Sequence, residues 1–227
     1  MKTRAAVLHE MGAKKPYKES KPLKIEYLEL DDPSEHEVLI KIHAAGLCHS
    51  DLSVINGNRP RPLPMALGHE ASGEVIKVGK AVTRVSEGDH VVCTFIPSCG
   101  KCIPCKEGRP ALCENGAISN EKGEMLEGGV RLSNDEGKVY HHLGISGFAE
   151  YSVVSENSIV KIDKKIPFER AAAFGCAIIT GIGAVVNTAQ IRSGSNVAVV
   201  GLGGIGLNAI IGAKLAGANE IIALDIN

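Results

Sequence analysis

Residues 99–113 read CGKCIPCKEGRPALC, which places cysteines at Cys99, Cys102, Cys105 and Cys113. The C-x2-C-x2-C-x7-C spacing predicts four thiolates that surround a structural Zn²⁺, so we expect a zinc lobe over residues 97–114. Bacterial iron–sulfur runs also supply four thiolates, but they end in C-x3-C-P rather than after a seven-residue gap. Cysteines crowded at two-residue gaps, in a chain without a secretion signal, argue against a disulfide framework.

Length and composition limit the classes of partner. The chain has 227 residues, 44% of them hydrophobic, which is enough to bury a core. Its formal net charge of −1 leaves no broad basic field for nucleic acid or an anionic membrane surface, so we expect a small-molecule partner. The apolar run Ala5–Leu8 is too short for a signal peptide or a membrane helix, which predicts a cytoplasmic location.

On both sides of the lobe, short apolar runs bounded by turn residues indicate β-strands. In one of them, Ile25 and Tyr27 alternate with charged residues, the period of two that is typical of a half-buried antiparallel sheet. The N-terminal part is therefore predicted to be mostly β, with strands at Ala5–His9, Leu23–Leu30, Val38–Ala45, Gly73–Val78, His90–Phe95, Phe148–Val154 and Ile159–Ile162.

The pattern changes at Pro167, which suits a first helical turn. Helix-forming residues follow and predict a helical stretch to about Gln190, with glycines that either let the helix break near Cys176 or allow close packing against a neighbour. Residues 196–200, NVAVV, then form an unbroken apolar run that is typical of a buried parallel strand.

A glycine-rich turn follows this strand. The G-x-G-x-x-G pattern of Gly201, Gly203 and Gly206, with Gly204 between them, lies between a buried strand and a helix, the context of a dinucleotide fingerprint. The glycines would allow a pyrophosphate to approach the helix N-terminus closely. Asp225 would accept hydrogen bonds from a ribose and repel a 2′-phosphate, so NAD is favoured over NADP.

Only one βαβ unit is visible in the sequence, whereas a doubly wound dinucleotide fold has about six strands. We therefore expect the front part of a longer enzyme, with a catalytic domain at 1–175 and the start of an α/β Rossmann domain at 176–227. A sheet of two strands leaves an apolar edge, and self-association is one way to cover it.

Spacing alone does not connect the remaining cysteines to a site. However, Gly68-His69-Glu70, followed by Gly73, Gly79 and Val82, resembles the signature of the zinc-containing medium-chain alcohol dehydrogenases, and the resemblance spans the whole chain. It implies a GroES-like β catalytic domain, zinc at two sites per chain, and a catalytic zinc whose ligands would be Cys48, His69 and Cys176.

The same resemblance implies roles for neighbouring residues. Asp51 would orient the zinc histidine, and Glu70 would lie beneath the metal. Ser50 would pass the alcohol proton towards the cofactor, although Ser53 stands where many relatives carry the next histidine of that relay. The cofactor positions would be His49, near the pyrophosphate, and Thr180, at the nicotinamide.

The implied reaction is reversible oxidation of an alcohol to an aldehyde or ketone, with hydride transfer to NAD. The segment 116–142 resembles that of mammalian-type and aryl alcohol dehydrogenases, which indicates a primary alcohol. The alternative is a catalytically inactive zinc-binding fragment of such an enzyme. A zinc-ribbon nucleic-acid module is opposed by the near-zero charge. Cys93 is expected to be a buried small hydrophobe. His141 and His142 could form a metal-binding pair, but the family resemblance needs neither, so we expect a loop pair.

Overall fold

The computed structural model describes residues 1–226, which form two compact units. The first unit comprises Met1–Ala172, and the second begins at Ala173. The boundary predicted from the sequence, between residues 175 and 176, lies at the end of the 3₁₀ segment Ala172–Gly175.

The first unit is built mainly of strands, as predicted. They are β1 (Lys2–Leu8), β2 (Leu23–Leu30), β3 (Glu37–Gly46), β4 (Met65–Ala66), β5 (Glu70–Val78), β6 (His90–Cys93), β7 (Leu132–Asn134), β8 (Gly137–His141), β9 (Tyr151–Ser155) and β10 (Ile159–Lys161). A closed barrel has the order β1-β2-β7-β8-β4, and a five-stranded sheet has the order β10-β6-β5-β3-β9. All pairings are antiparallel except β4 with β8, where Ala66 lies opposite His141.

The alternation predicted for β2 is present, but its buried face is the opposite one. Ile25 and Tyr27 are 68% and 70% exposed, whereas Leu28 and Leu30 are buried in the barrel core. Alternation fixes the period of a strand but not which of its two faces meets the core. Here the barrel interior selects the face that carries the two leucines.

Helices of the first unit are short and lie in the connections between strands or after the last strand. They are α1 (Tyr17–Ser20), α2 (His49–Ile55), α3 (Ile103–Lys106), α4 (Glu114–Lys122) and α5 (Phe168–Ala171), with 3₁₀ turns at Pro110–Leu112 and Glu156–Ser158. The helix α2 follows β3 after two residues, and β5 follows β4 after three. Because β3 pairs with β5 as far as Gly46 opposite Glu70, the residues at these two chain turns come together.

The second unit contains the predicted βαβ unit. The parallel strands β11 (Asn196–Val200) and β12 (Glu220–Leu224) flank α7 (Gly204–Leu215). The predicted helical stretch is broken at Cys176, whose φ of −142° is not helical, and it continues as α6 (Ala177–Gly183) and the π-helical segment Ala184–Ala189.

No single helix among residues 1–226 has the length and apolar character needed to cross a membrane. One bent pair, Phe168–Gly175 with Ala177–Ala189, meets that test on length and composition alone.

Candidate metal and cofactor sites

The carboxylate of Asp51 organises the first candidate site. Asp51 is the third residue of α2, and its Oδ2 accepts a hydrogen bond of 3.2 Å from the backbone N–H of Cys48, the N-cap residue. Its Oδ1 accepts a bond of 3.1 Å from the N–H of Gly68 and lies 3.2 Å from His69 Nδ1. One carboxylate thus ties together the two chain segments that carry Cys48 and His69.

Burial of Asp51 disfavours its charged form, but the contacts with His142 and His69 outweigh this effect and hold its pKa far below the usual range. The carboxylate is therefore ionised and accepts the Nδ1 proton of His69. This assigns to His69 the tautomer whose Nε2 carries a free lone pair, the form in which histidine binds a metal.

The donor set of this site suits a zinc ion. A sulfur of Cys48, a ring nitrogen of His69 and a carboxylate oxygen of Glu70 all lie within 4.8 Å of one another. His69 is 1% exposed and Glu70 is 6% exposed. A Cβ at Gly46 would overlap the Glu70 carboxylate, so glycine opposite Glu70 leaves the space that this side chain occupies. Thiolate and imidazole are the ligands that Zn²⁺ prefers, so these residues fit the ion.

The expectation that His141 and His142 form a loop pair is wrong for His141, which is the last residue of β8. Both are fully buried, because His141 ends β8 inside the barrel and the N–H of His142 bonds the carbonyl of Ala66. His142 Nδ1 lies 3.0 Å from Asp51 Oδ1, and its ring packs edge-on against His69 with centroids 5.4 Å apart. Asp51, His69 and His142 also form a candidate metal-ligand group that sequence reasoning missed.

The other residues predicted for this site belong to α2 of the first unit and to the chain around α6 of the second. Ser50 is half-buried on α2, beside the exposed His49. The Ser53 hydroxyl donates a hydrogen bond of 2.9 Å to the His49 carbonyl, so it is bound to its own helix. In the second unit, Cys176 is half-buried and immediately precedes α6, and its carbonyl accepts the N–H of the exposed Thr180.

The four cysteines of the lobe converge as their spacing predicts. One sulfur from each of Cys99, Cys102, Cys105 and Cys113 lies within 4.8 Å of the others. Backbone N–H groups point at the sulfurs: Cys113 accepts from Cys99 at 3.2 Å and from Gly116 at 3.3 Å. N–H donors to sulfur stabilise thiolates, and four thiolates in this arrangement fit a structural zinc.

The lobe thiols differ in acidity. Backbone N–H bonds from Lys101 and Cys102 lower the pKa of Cys99 to about 6. Burial and the neighbouring thiol of Cys102 raise the pKa of Cys105 to about 12. Four sulfurs this close cannot all ionise without a cation, which is the electrostatic reason for a metal here. Cys93 is fully buried outside both groups, as expected, and burial raises its pKa to about 12.

The glycine turn of the second unit has the geometry of its sequence pattern. Gly201 has a φ of +94°, a conformation that favours glycine, and it follows β11 directly. A Cβ at Gly206 would overlap the Gly201 carbonyl oxygen, whereas a Cβ at Gly203 would meet no atom within 4 Å. Gly206 therefore allows the close approach of helix and strand, and Gly203, the N-cap of α7, leaves open space at the helix N-terminus next to Gly204.

Asp225 lies just past the end of β12. Its Oδ2 accepts a hydrogen bond of 2.6 Å from the Leu202 N–H, so its carboxylate is held against the glycine turn. An acidic side chain at this point can accept hydrogen bonds from a ribose and repel a 2′-phosphate.

Residues 34–164 match the family model described as Alcohol dehydrogenase GroES-like domain. The chain is 44% identical over 228 residues to S-(hydroxymethyl)glutathione dehydrogenase of Synechocystis sp., with 100% of the chain and 60% of the relative covered. It is 46% identical over 208 residues to alcohol dehydrogenase class-3 of Drosophila melanogaster, with 91% and 55% covered.

Among solved structures, the alcohol dehydrogenase zinc-binding domain protein from Burkholderia ambifaria has a TM-score of 0.91 at 38% identity. That similarity covers 100% of this chain and 60% of the other. The chain thus spans 55–60% of the length of these proteins.

Proposed function

The chain belongs to the zinc-type alcohol dehydrogenase family, and from that premise we propose that it takes part in the reversible oxidation of an alcohol to an aldehyde or ketone, with zinc and NAD. The observation that carries the proposal is the Asp51 carboxylate, which bonds the segment of Cys48 and the ring of His69 at once. An ionised carboxylate with this pair of contacts suits a histidine that binds a metal.

The proposed ligands of the catalytic metal are Cys48, His69 and Cys176, with Glu70 beneath it; the assignment of Cys176 rests on the family resemblance. A second zinc would be held by the four lobe cysteines, which gives two Zn²⁺ per chain. When bound, zinc and NAD supply Lewis-acid polarisation of the substrate oxygen and an acceptor for hydride.

The residues of the chain prepare the site for this chemistry. Asp51 holds the Nδ1 proton of His69, so the ring is fixed in one tautomer and one orientation. Ser50 is the proposed group that accepts the alcohol proton. The Ser53 hydroxyl donates to the His49 carbonyl, so the next step of proton exit would use water or another group.

The proposed cofactor is bound at the N-terminus of α7. The N-cap Gly203 has no capping side chain, so the first N–H groups of the helix are available to a pyrophosphate. Asp225 would bind the adenosine ribose, while His49 and Thr180 would contact the pyrophosphate and the nicotinamide. We propose a primary alcohol as the substrate class, because the segment 116–142 resembles that of mammalian-type and aryl alcohol dehydrogenases.

The test is a fluorescence titration with NADH, run beside NADPH, on the zinc-loaded chain, followed by an assay of alcohol-dependent NADH formation. The proposal expects saturable binding that prefers NADH, together with turnover. Binding of both zinc ions without turnover or NADH binding would favour the alternative function, a zinc-binding fragment of the enzyme.

We also propose self-association through the second unit. This unit, with two strands and the helix between them, exposes large apolar side chains. They include Val200, Leu215 and Ile222, which are 81%, 72% and 49% exposed. Light scattering after size exclusion should give a mass above the 23.9 kDa of one chain. A mass of one chain at all concentrations would refute this part of the proposal.

A further inference from the structure

His142 is a buried polar residue that the proposed chemistry leaves without a task. It is 1% exposed, and neither ring nitrogen has a hydrogen-bond partner of good geometry among the described residues. A buried ring with two unbonded nitrogens costs free energy, so its presence requires a physical reason.

The charged group within its reach is Asp51. His142 Nδ1 lies 3.0 Å from the same oxygen that faces His69 Nδ1 at 3.2 Å and accepts the Gly68 N–H at 3.1 Å. Three nitrogen atoms thus surround Oδ1, and they come from the segments before β5 and after β8. The His142 ring also stands at 89° to the His69 ring, so it limits rotation of His69 by contact as well as through Asp51.

We propose that His142 is a positioning residue for the catalytic metal site, which holds the Asp51 carboxylate and the His69 ring in the orientation that binds zinc. This inference rests on the proposed function, because it assumes a metal on His69. His142 itself would not ligate the ion.

The neighbouring His141 provides a matched control. It is equally buried, but Nδ1 pairs with the Ser146 hydroxyl at 3.1 Å and Nε2 accepts the Arg131 N–H at 3.0 Å. It therefore has its own partners, and none of them belongs to the Asp51 group.

Two substitutions of His142 separate positioning from packing. The amide nitrogen of His142→Asn can stand where Nδ1 stands and face the Asp51 carboxylate, whereas His142→Leu fills the space with an apolar group. Packing alone would favour leucine, because a buried amide is costly. If His142 positions Asp51, the asparagine variant should bind zinc more tightly than the leucine variant. The two explanations therefore predict opposite orders of zinc affinity for these variants.

The experiment measures zinc affinity of the full chain by competition with a chelator, and zinc content by elemental analysis. We expect two Zn²⁺ per wild-type chain and a loss of about 10–100-fold in affinity of the non-lobe zinc in His142→Leu, the range for groups that orient metal ligands. His142→Asn should lose clearly less affinity for this zinc than His142→Leu, and His141→Asn should retain the wild-type affinity. The lobe zinc is an internal reference in every variant.

Thermal unfolding of the metal-free chains gives an independent readout. Because the His142 nitrogens lack good hydrogen bonds, His142→Leu should leave Tm unchanged or raise it, even though zinc binds more weakly.

The outcomes are distinct. A wild-type chain that holds only the lobe zinc would overturn the proposed function, and this inference with it. Two zinc ions bound to His142→Leu with wild-type affinity would overturn the inference alone. A third zinc in the wild type that His142→Leu loses would also overturn it, because His142 would then be a ligand.

Discussion

The pair Glu37–Arg131 offers a stability test whose size follows from burial. Arg131 Nε and Nη2 each donate a bond of 2.8 Å to the Glu37 carboxylate, and the two side chains are 15% and 1% exposed. The pair joins the start of β3 to the chain just before β7, so it closes the barrel region against the sheet. Replacing Arg131 with methionine keeps the aliphatic stem but leaves the Glu37 charge buried with one remaining donor, the Ser34 N–H.

Removing one partner of a buried ion pair costs about 3–5 kcal/mol, and we expect Arg131→Met to lower the free energy of unfolding by that amount. The double variant Glu37→Gln, Arg131→Met removes the charge as well. The double variant should lose clearly less free energy of unfolding than Arg131→Met, which means a coupling energy of up to about 3 kcal/mol between the two positions.

The exposed pair Arg4–Glu150 is the control. Its separation of 2.7 Å matches that of the buried pair, but its side chains are 52% and 49% exposed, so Arg4→Met should cost less than about 1 kcal/mol. The assay is urea unfolding of the zinc-loaded chain followed by circular dichroism. If Arg131→Met costs no more than Arg4→Met, burial does not control the strength of this pair and the reasoning fails.

Two further predictions concern the sites, and a third concerns the buried Cys93 thiol. Cys48→Ser should abolish any turnover and remove one Zn²⁺ while leaving the lobe zinc, and a variant with full activity would refute the assignment of this residue. Gly203→Ala should fold normally, because its Cβ meets open space, yet lose most NADH affinity; Gly206→Ala should in addition lose helical circular dichroism, because its Cβ overlaps backbone. The Cys93 thiol, with its pKa raised to about 12, should resist thiol reagents until the chain unfolds. The stability that protonated Cys93 contributes is complete below its unfolded pKa of about 8.5 and is lost as pH rises towards the folded value. An unfolding midpoint that stays constant from neutral to strongly alkaline pH would contradict this.

The features that the sequence predicts best are those encoded over a few neighbouring residues. The glycine turn between β11 and α7 needs only the positive φ of Gly201 and the close approach at Gly206. Both requirements are visible in the sequence, as two glycines five positions apart. The cysteine lobe is similarly local, since its four sulfurs come from 15 residues, Cys99 to Cys113.

Features that depend on distant pairing were missed. The strands β4, β7 and β8 have two, three and five residues, too short for a period to be visible in the sequence. The same limit applies to β2, where the period was visible but the buried face was set by Leu28 and Leu30 in the barrel.

The burial of His142 is a consequence of those short strands. The parallel pairing of β4 with β8 sets Ala66 opposite His141, and the next N–H, that of His142, bonds the Ala66 carbonyl. Because His69 follows Ala66 by three residues, this register also delivers His142 to the Asp51 carboxylate. A slip of one residue in a strand would turn its side chains to the opposite face. The two-residue strand β4, which has no local signal in the sequence, therefore determines that His142 packs beside the proposed zinc ligand His69. Substitutions in β4 should affect metal binding by changing its register with β8, rather than through any contact with the ion.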